Sequence, residues 1–314
     1  MDKKQKEPKP LTVKPRYTLR ETMEMFRTED QCREYLQKLR WPDGVVRCPR
    51  CKDSHIHPVA KKPWHWQCRH CNKNGYKFSI TTKTIFENTK YPLTTWFQVC
   101  YLMSQSKKGM SALQIHRQIG SGSYETAWYM CTRIRAAMKN ATFEKLMGEV
   151  EADETWIGGK DKNKHVSERQ YGKGKGYPSG VFSNKTMVIG AISRKGNVVA
   201  QMVEEAGFDT LQNFVKEAVS KKVTLMATDE NAGYRHLGAH GFVHKTVNHS
   251  QEQYVVGGIH TNTIEGFWSL LKRGIVGTYH KVSRQYLPLY LNEFTFRYNN
   301  RENPDIFRDL LSQV

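Results

Sequence analysis

The sequence predicts an α/β chain in which a mixed β-sheet with helices follows a cysteine-rich module and a helical region. Short apolar runs typical of strands lie at 149–157, 186–193, 197–203 and 223–228. Helical patterns lie at 209–220, 263–275 and 286–301. Strands and helices in this order are typical of an α/β domain with a mixed sheet. Before residue 148, the apolar residues recur at helical spacing or surround two Cys-X-X-Cys pairs.

Changes in composition divide the chain into four parts. Residues 1–16 form a charged tail without apolar periodicity, which we expect to be disordered. Residues 17–90 are predicted to hold a helix and the cysteine module, 91–147 a group of amphipathic helices, and 148–314 the α/β domain. A Gly- and Lys-rich insertion at 160–185 is too polar to join a core, so we expect a basic loop there.

The chain is strongly basic. Its 314 residues include 49 Lys and Arg against 30 Asp and Glu, a formal net charge of +19. A protein this basic usually has a polyanionic partner, because phosphate contacts release counterions and supply affinity without sequence preference. Charge alone does not separate DNA, RNA and anionic membrane as partners, and a surface that is basic for solubility is the alternative.

The sequence carries no recognisable targeting signal. Its first residues lack the apolar core of a secretory peptide, and no apolar run approaches the roughly 18 residues that span a bilayer. We therefore expect a cytoplasmic protein that does not bind membranes. Of the seven cysteines, four fall in Cys-X-X-Cys pairs, which in such a chain predicts metal binding in a reducing compartment and not disulfides.

The two cysteine pairs predict a structural zinc site. Sixteen residues separate the pairs, whose members are Cys48, Cys51, Cys68 and Cys71. Each pair supplies two thiolates from a tight turn, and the segment between them can return as a hairpin to complete a tetrahedron. Chance pairs or a thioredoxin-like redox pair are the alternatives, and the presence of a second pair argues against both.

Other residues around the pairs have a structural interpretation. Nearby histidines are further candidate ligands, although four thiolates already complete the shell: His55, His57, His65 and His70. Aromatic residues are expected to pack the module: Trp64, Trp66, Tyr76 and Phe78. The remaining cysteines lie on helical patterns and are expected to be buried as small apolar residues: Cys32, Cys100 and Cys131.

A helix-turn-helix is predicted at 111–138. Ser111 is suited to cap a first helix, Gly120 and Gly122 suit a turn, and a second helix follows with Arg133 and Arg135. Such a helix can enter the major groove of DNA, where we expect the two arginines to bind. The alternative is a plain helical hairpin between two domains. The preceding cysteine module and the net charge of +19 favour DNA binding.

Three acidic residues stand at strand or helix ends in the second half. Asp153 ends one predicted strand, Asp229 follows another, and Glu265 lies near the start of a helix. In-line attack on a phosphodiester uses two divalent cations about 4 Å apart, and Mg²⁺ prefers carboxylate oxygens. Singly, each acid is ordinary, as a strand-end turn residue or a first-turn helix acid. Their joint placement favours a two-metal site.

Spacing refines the choice of residues. Strand alternation places Glu149, Glu151 and Asp153 on one face and Glu154 on the other, which favours Asp153 as ligand unless the strand end is kinked. Lys272 follows Glu265 by seven residues and shares nearly the same helix face, so it is suited to hold a DNA phosphate beside the metals. A solvated helix lysine is the alternative.

Several motifs together resemble a known family. The segments CPRC, WQCRHC, EADETWIGG, ATDE and HTNTIEGFWSLLKRGIVGTYHKVS resemble insertion-sequence transposases of the DDE type that carry an N-terminal zinc ribbon. The resemblance covers about residues 29 to 301. It implies a ribonuclease-H-like catalytic domain, Mg²⁺ or Mn²⁺ as cofactor, binding of terminal inverted repeats and target DNA, and a homo-oligomer on paired ends.

The resemblance also implies residue roles. Asp153, Asp229 and Glu265 would be the catalytic triad and hold the catalytic metal, while Lys272 and its neighbour Arg273 would contact DNA. Asn262 is an alternative or auxiliary third ligand. The implied activity is metal-dependent DNA cleavage and strand transfer. Two other functions stay open: a non-catalytic zinc-ribbon regulator derived from a transposase, and a ribonuclease-H-like nuclease that cuts without strand transfer.

Overall fold

A computed structural model describes residues 16–71, 74–139, 144–159, 185–204, 207–229, 232–234, 237–247 and 260–313. The chain divides into two compact units. We call residues up to 139 together with those from 300 the amino-terminal unit, and residues 140–299 the sheet unit. The expected basic loop, except Lys185, and the expected disordered tail, except Arg16, lie outside the described residues.

The amino-terminal unit begins with two helices where the sequence predicts one helical segment. They are α1 (Leu19–Met25) and α2 (Glu29–Arg40). Each starts with a capping box, formed by Thr18 with Glu21 and by Thr28 with Gln31. The cap at Thr28 requires an extended backbone, with φ −121° and ψ 155°, and this conformation interrupts the helical pattern.

The cysteine module is a three-stranded antiparallel sheet. Its strands are β1 (Ile56–Pro58), β2 (His65–Cys68) and β3 (Tyr76–Ser79), paired in that order. Phe78 stacks on Trp66 and on Tyr76, with ring centroids 5.8 and 6.0 Å apart. The indole of Trp64 instead donates to Asp30 of α2 at 2.9 Å. The aromatic residues therefore pack the module, as expected, and also tie it to α2.

Three helices follow the module: α3 (Leu93–Gln105), α4 (Ala112–Ile119) and α5 (Tyr124–Ala137). Ser111 caps α4 by accepting from the Gln114 amide at 3.2 Å, and Ser123 caps α5 in the same way. Gly120 ends α4 in the left-handed conformation, with φ +61°, which a glycine adopts without steric cost. The predicted helix, turn and helix at 111–138 are present.

The last helix, α9 (Ile306–Ser312), belongs to the amino-terminal unit, whereas the sequence grouped residues up to 314 with the α/β domain. Its Phe307 packs edge-on against Phe97 and Tyr101 of α3, with ring centroids 6.1 and 5.7 Å apart. The apolar face of α9 is thus buried against α3, which a helical pattern alone does not reveal.

The sheet unit holds a five-stranded mixed sheet. Its strands are β4 (Glu149–Ile157), β5 (Thr186–Ser193), β6 (Val198–Val203), β7 (Leu225–Thr228) and β8 (His244–Thr246). The order is β6-β5-β4-β7-β8; β4, β5 and β6 pair antiparallel, while β7 and β8 run parallel to β4. This mixed sheet with its helices confirms the expected α/β class. The sequence missed β8, which is too short to show alternation.

Helices cover both faces of the sheet. They are α6 (Phe208–Ala218), α7 (Asn262–Gly274) and α8 (Leu287–Asn299). Val150 and Ala152 of β4 share one apolar cluster with α6, and Val188 and Ile192 of β5 share the other with α7 and α8. Strand alternation thus supplies an apolar side chain to both layers. No helix in the described ranges is both long and apolar enough to cross a membrane.

Gly190 of β5 makes room for a side chain of α7. It pairs with Asp153 across the sheet. A Cβ at this position would lie 2.5 Å from the Trp268 ring and 3.3 Å from Ile264. Trp268 is only 4% exposed, so its ring has little space into which it can shift. The glycine therefore lets the indole lie directly against the sheet.

We expect Gly190→Ala to lower the free energy of unfolding by about 1–3 kcal/mol, because the added methyl overpacks the contact with Trp268. Urea unfolding of the full chain, followed by tryptophan fluorescence, measures the change. Gly266→Ala in α7 is the matched control: its Cβ would meet no atom within 4 Å, and we expect up to about 1 kcal/mol of stabilisation. Unchanged stability in Gly190→Ala would contradict the packing argument.

Candidate active site and zinc site

The four predicted cysteines form one cluster. The sulfurs of Cys48 and Cys71 are 3.6 Å apart, as are those of Cys51 and Cys68, and all four lie within 4.8 Å of one another. Sulfurs around a tetrahedral zinc, with bonds of about 2.3 Å, would be about 3.8 Å apart. All four cysteines are free thiols. The donor set and its spacing therefore fit a structural zinc ion.

Tight turns and the hairpin bring the two pairs together. Lys52, with φ +65°, donates its backbone N–H to the carbonyl of Cys48 at 2.9 Å. Cys68 ends β2, which pairs with β1. Within the described residues, no histidine belongs to the cluster. His55 lies against the Asp53 carboxylate at 3.0 Å instead.

The predicted aspartates lie side by side on neighbouring parallel strands, but the expected strand-end position holds for Asp229 alone: Asp229 directly follows β7, whereas Asp153 is the middle residue of β4. Ala152 of β4 pairs with Thr228 of β7, so the next residues along the strands are Asp153 and Asp229. Their carboxylates lie within 4.8 Å of each other and of the Glu154 carboxylate. Oxygens of this kind at this spacing can share a divalent cation.

Burial and the charges of both other predicted acids raise the pKa of Asp153. Burial raises its pKa from the ordinary 3.8 to about 6, and the negative charge of Asp229 contributes. The backbone N–H of Glu154 and the indole of Trp268, which donates to Oδ2 at 3.0 Å, act in the opposite direction. The charge of Glu265 adds a further upward effect. The three acids are therefore electrostatically coupled.

Glu265 lies on α7 and is not among the three acids whose carboxylate oxygens lie within 4.8 Å of one another, although burial and its charge both raise the pKa of Asp153. It is exposed, and its Oε1 accepts from the hydroxyl of Thr261 at 3.1 Å. Asn262 is the exposed first residue of α7, one turn before Glu265, and Lys272 is exposed two turns after it. Arg273 is also exposed, with Nε donating to the Ser269 carbonyl at 3.2 Å. The ligand and phosphate-binding roles of these residues stay predictions.

Glu154 is a fourth acid of the cluster that strand alternation placed on the opposite face. It is 7% exposed. Alternation determines where Cβ points, whereas the rotatable side chain of a glutamate determines where the carboxylate ends. Tyr234 is buried nearby, and burial followed by the charge of Glu154 raises its pKa well above the ordinary value. The sequence contained no signal for this tyrosine.

Two aromatic residues of α7, Phe267 and Trp268, are buried. Phe267 packs edge-on against Tyr298 of α8, with centroids 5.3 Å apart. Trp268 has a second role that the sequence did not reveal, since its indole N–H binds Asp153. The indole therefore orients a candidate metal ligand.

The structure corrects the expected DNA contacts of α5. Arg135 is 1% exposed, so its guanidinium does not reach a ligand at the surface. Arg133 is half-buried and donates to the carbonyls of Thr84 and Glu87, at 3.2 and 3.0 Å, and to the Tyr129 hydroxyl at 2.6 Å. Arg133 and Arg135 are thus held by the amino-terminal unit itself and do not extend from α5 as residues entering a DNA groove would.

The chain matches two family models. Residues 145–299 match the ISXO2-like transposase domain, and residues 27–74 match the transposase zinc-ribbon domain. The first range includes all three predicted acids, and the second includes all four cysteines of the cluster. A curated relative, an uncharacterized protein in transposable element ISH50 of Halobacterium salinarum, is 24% identical over 282 residues, which are 87% of this chain and 91% of the relative.

Two solved structures show a distant likeness. One is a simian T-cell lymphotropic virus intasome in complex with PP2A regulatory subunit B56 gamma, with 11% identity, 58% of this chain and 67% of that chain covered, and a TM-score of 0.27. The other is a pre-cleavage Mos1 transpososome, with 14% identity, 94% and 92% covered, and a TM-score of 0.28. Likenesses this low say nothing about function.

We expect the purified chain to hold one zinc, and Cys68→Ser to lose it, because a module this small depends on the metal for folding. Elemental analysis measures the zinc, and limited proteolysis between residues 41 and 86 measures the loosening. Cys131→Ala is the control, since Cys131 is buried in α5 outside the cluster and should keep the zinc. A folded, zinc-free wild type would refute the assignment.

We also expect Asp153→Asn to stabilise the protein in the absence of added divalent cation. The folded-state pKa of about 6 lies above the ordinary 3.8, so wild-type stability is lost as the pH rises through this window. The gain should be near zero below about pH 4 and reach on the order of 1–3 kcal/mol above about pH 6.

Thermal unfolding of both proteins across this pH range measures the effect. Asp209→Asn, at an exposed position in the first turn of α6, is the control, and we expect it to change stability by less than about 0.5 kcal/mol without following the same window. A destabilised Asp153→Asn at pH 8 would show that the charge of Asp153 is compensated.

Proposed function

Because the chain belongs to the insertion-sequence transposases of the DDE type that carry an N-terminal zinc ribbon, we propose that it binds the terminal inverted repeats of its own element and catalyses their metal-dependent cleavage and strand transfer. The observation that carries this proposal is the meeting of the Asp153 and Asp229 carboxylates within 4.8 Å of each other. Asp153 and Asp229 come from parallel strands, and the charge of Glu265 is felt at Asp153.

The acid cluster suits divalent cations. Like charges held together in a partly buried place disfavour one another, and a bound cation would relieve that repulsion. We propose Asp153, Asp229 and Glu265 as ligands of Mg²⁺ or Mn²⁺, with Asn262 as an auxiliary oxygen donor. When bound, such cations supply the positive charge that stabilises the attacking and leaving oxygens of an in-line displacement.

The chain's own residues orient the ligands. Trp268 holds Oδ2 of Asp153, and Thr261 holds Oε1 of Glu265, which limits the rotation of both carboxylates. Lys272 and Arg273 lie further along α7, exposed and positively charged. We propose that both contact the phosphates of the DNA strand at the site.

Recognition of DNA is proposed for the amino-terminal unit. The zinc ribbon and the pair α4–α5 supply it, and α5 carries exposed Tyr124 and Tyr129 near its amino-terminal end. The rings of both tyrosines are available to base edges, whereas further along α5 Arg133 is half-buried and Arg135 is buried. We propose that two or more copies act together on paired DNA ends.

We expect Asp153→Asn, Asp229→Asn and Glu265→Gln to retain DNA affinity and to lose cleavage by about 100-fold or more, because each keeps its size while removing a ligand charge. Asn262→Ala should cost less, since an amide oxygen is a weaker ligand. The assay uses the full chain, Mg²⁺ and the DNA flanking its own gene, scored for cut and for joined products at matched DNA occupancy.

Each competing function has its own outcome in this assay. Wild type that binds the DNA but never cuts it would be a regulator, and cut product without joined product would indicate a nuclease. Full activity in Glu265→Gln together with none in Asn262→Ala would assign the third ligand to Asn262.

A further inference from the structure

A buried glutamate outside the predicted triad joins the two elements that carry the ligands. Glu151 lies on β4 two residues before Asp153 and is fully buried. Its Oε2 accepts from the backbone N–H of Thr263 at 2.8 Å and of Ile264 at 3.0 Å. Its Oε1 accepts from the Thr263 hydroxyl at 2.8 Å and from Arg194 Nε at 2.7 Å. Both carboxylate oxygens are therefore engaged.

The two amides that Glu151 accepts from belong to the first turn of α7. Amides in this position have no acceptor within their own helix. The residue at the N-cap, Thr261, makes no side-chain capping bond, since its hydroxyl donates to Glu265. Glu151 supplies the missing cap from the neighbouring strand, and its negative charge matches the positive end of the helix dipole.

Arg194 completes the arrangement. Besides Glu151, its guanidinium pairs with Glu149 and donates Nη2 to the His260 carbonyl at 3.0 Å. The ring of His260 also lies near Glu151, with Nδ1 3.2 Å from Oε1. A buried carboxylate is tolerated when charge and hydrogen bonds compensate it, and here the compensation also holds the residues that lead into α7.

We propose that Glu151 is a positioning residue that sets the separation between Asp153 and Glu265 and so determines the affinity of the site for its divalent cation. Asp153 follows Glu151 on the same face of β4, and Glu265 directly follows Ile264, whose amide Glu151 holds. The inference rests on the proposed metal-dependent function. Glu151 itself touches neither cation nor DNA.

The substitution Glu151→Gln tests this role without changing the size of the side chain. Every hydrogen-bond partner of the two carboxylate oxygens is a donor. An amide in either orientation therefore turns its NH₂ group toward a donor, and the cap on α7 is weakened. Glu151→Asp keeps the charge on a shorter side chain and should rescue part of the effect.

Glu149→Gln is the matched control. Glu149 lies on the same strand and face and pairs with the same arginine through its side chain, yet it is half-exposed, and within the described residues no hydrogen bond or ion pair joins its side chain to α7. A change that acted through Arg194 alone would appear in both variants.

The experiment uses the full chain with two readouts. One is the Mg²⁺ concentration for half-maximal cleavage of the terminal DNA, and the other is the Mg²⁺-induced rise in melting temperature without DNA. We expect Glu151→Gln to need about 10-fold more Mg²⁺ in both, Glu151→Asp to lie between it and wild type, and Glu149→Gln to stay within about twofold of wild type. DNA affinity without Mg²⁺ should be unchanged.

A merely structural role would reduce the folded fraction and the maximal rate while leaving the half-maximal Mg²⁺ concentration unchanged, and that result would overturn the inference. If Glu151→Gln does not fold, Glu151→Asp decides, and wild-type Mg²⁺ dependence in that variant also overturns it. Wild type without any Mg²⁺-dependent cleavage would instead contradict the proposed function, while the melting experiment would still report on Glu151.

Discussion

Three carboxylates, those of Asp153, Glu154 and Asp229, lie within 4.8 Å of one another, at the point where β7 ends beside the middle of β4. Burial disfavours the ionised form of Asp153, and the negative charge of Asp229 adds to the effect. The raised pKa of Asp153 reports that cost. The sheet unit must therefore hold acids that repel one another, and much of its local packing is explained by that requirement.

The support comes from residues around the cluster. Gly190 lacks a side chain, so the Trp268 ring lies against β5 and its indole reaches Asp153. Glu151 takes the free amides at the start of α7 and is neutralised by Arg194. These contacts connect strands and a helix that are far apart in the chain, so the position of each acid depends on the packing of the whole unit.

The amino-terminal unit uses different means because it contains a small module. A cluster of four cysteines suited to a zinc ion replaces part of an apolar core, and stacked rings around Phe78 supply further packing. The arginines of α5 that seemed suited to DNA serve this unit internally: Arg133 donates to carbonyls of the segment after the module, and Arg135 is buried.

By itself the sequence determined the features that leave a local pattern. These are the cysteine spacing, the strands and helices long enough to show apolar periodicity, and the three acids proposed as metal ligands. It did not reveal β8, the break before α2, or the unit to which α9 belongs. Only the tertiary structure decided which charged residues are buried. Arg135 and Glu151 look like their exposed neighbours in the sequence, and strand alternation did not reveal that the Glu154 carboxylate lies within 4.8 Å of those of Asp153 and Asp229. Burial of a charge depends on donors and acceptors that arrive from distant segments, as Thr263 and Ile264 do for Glu151.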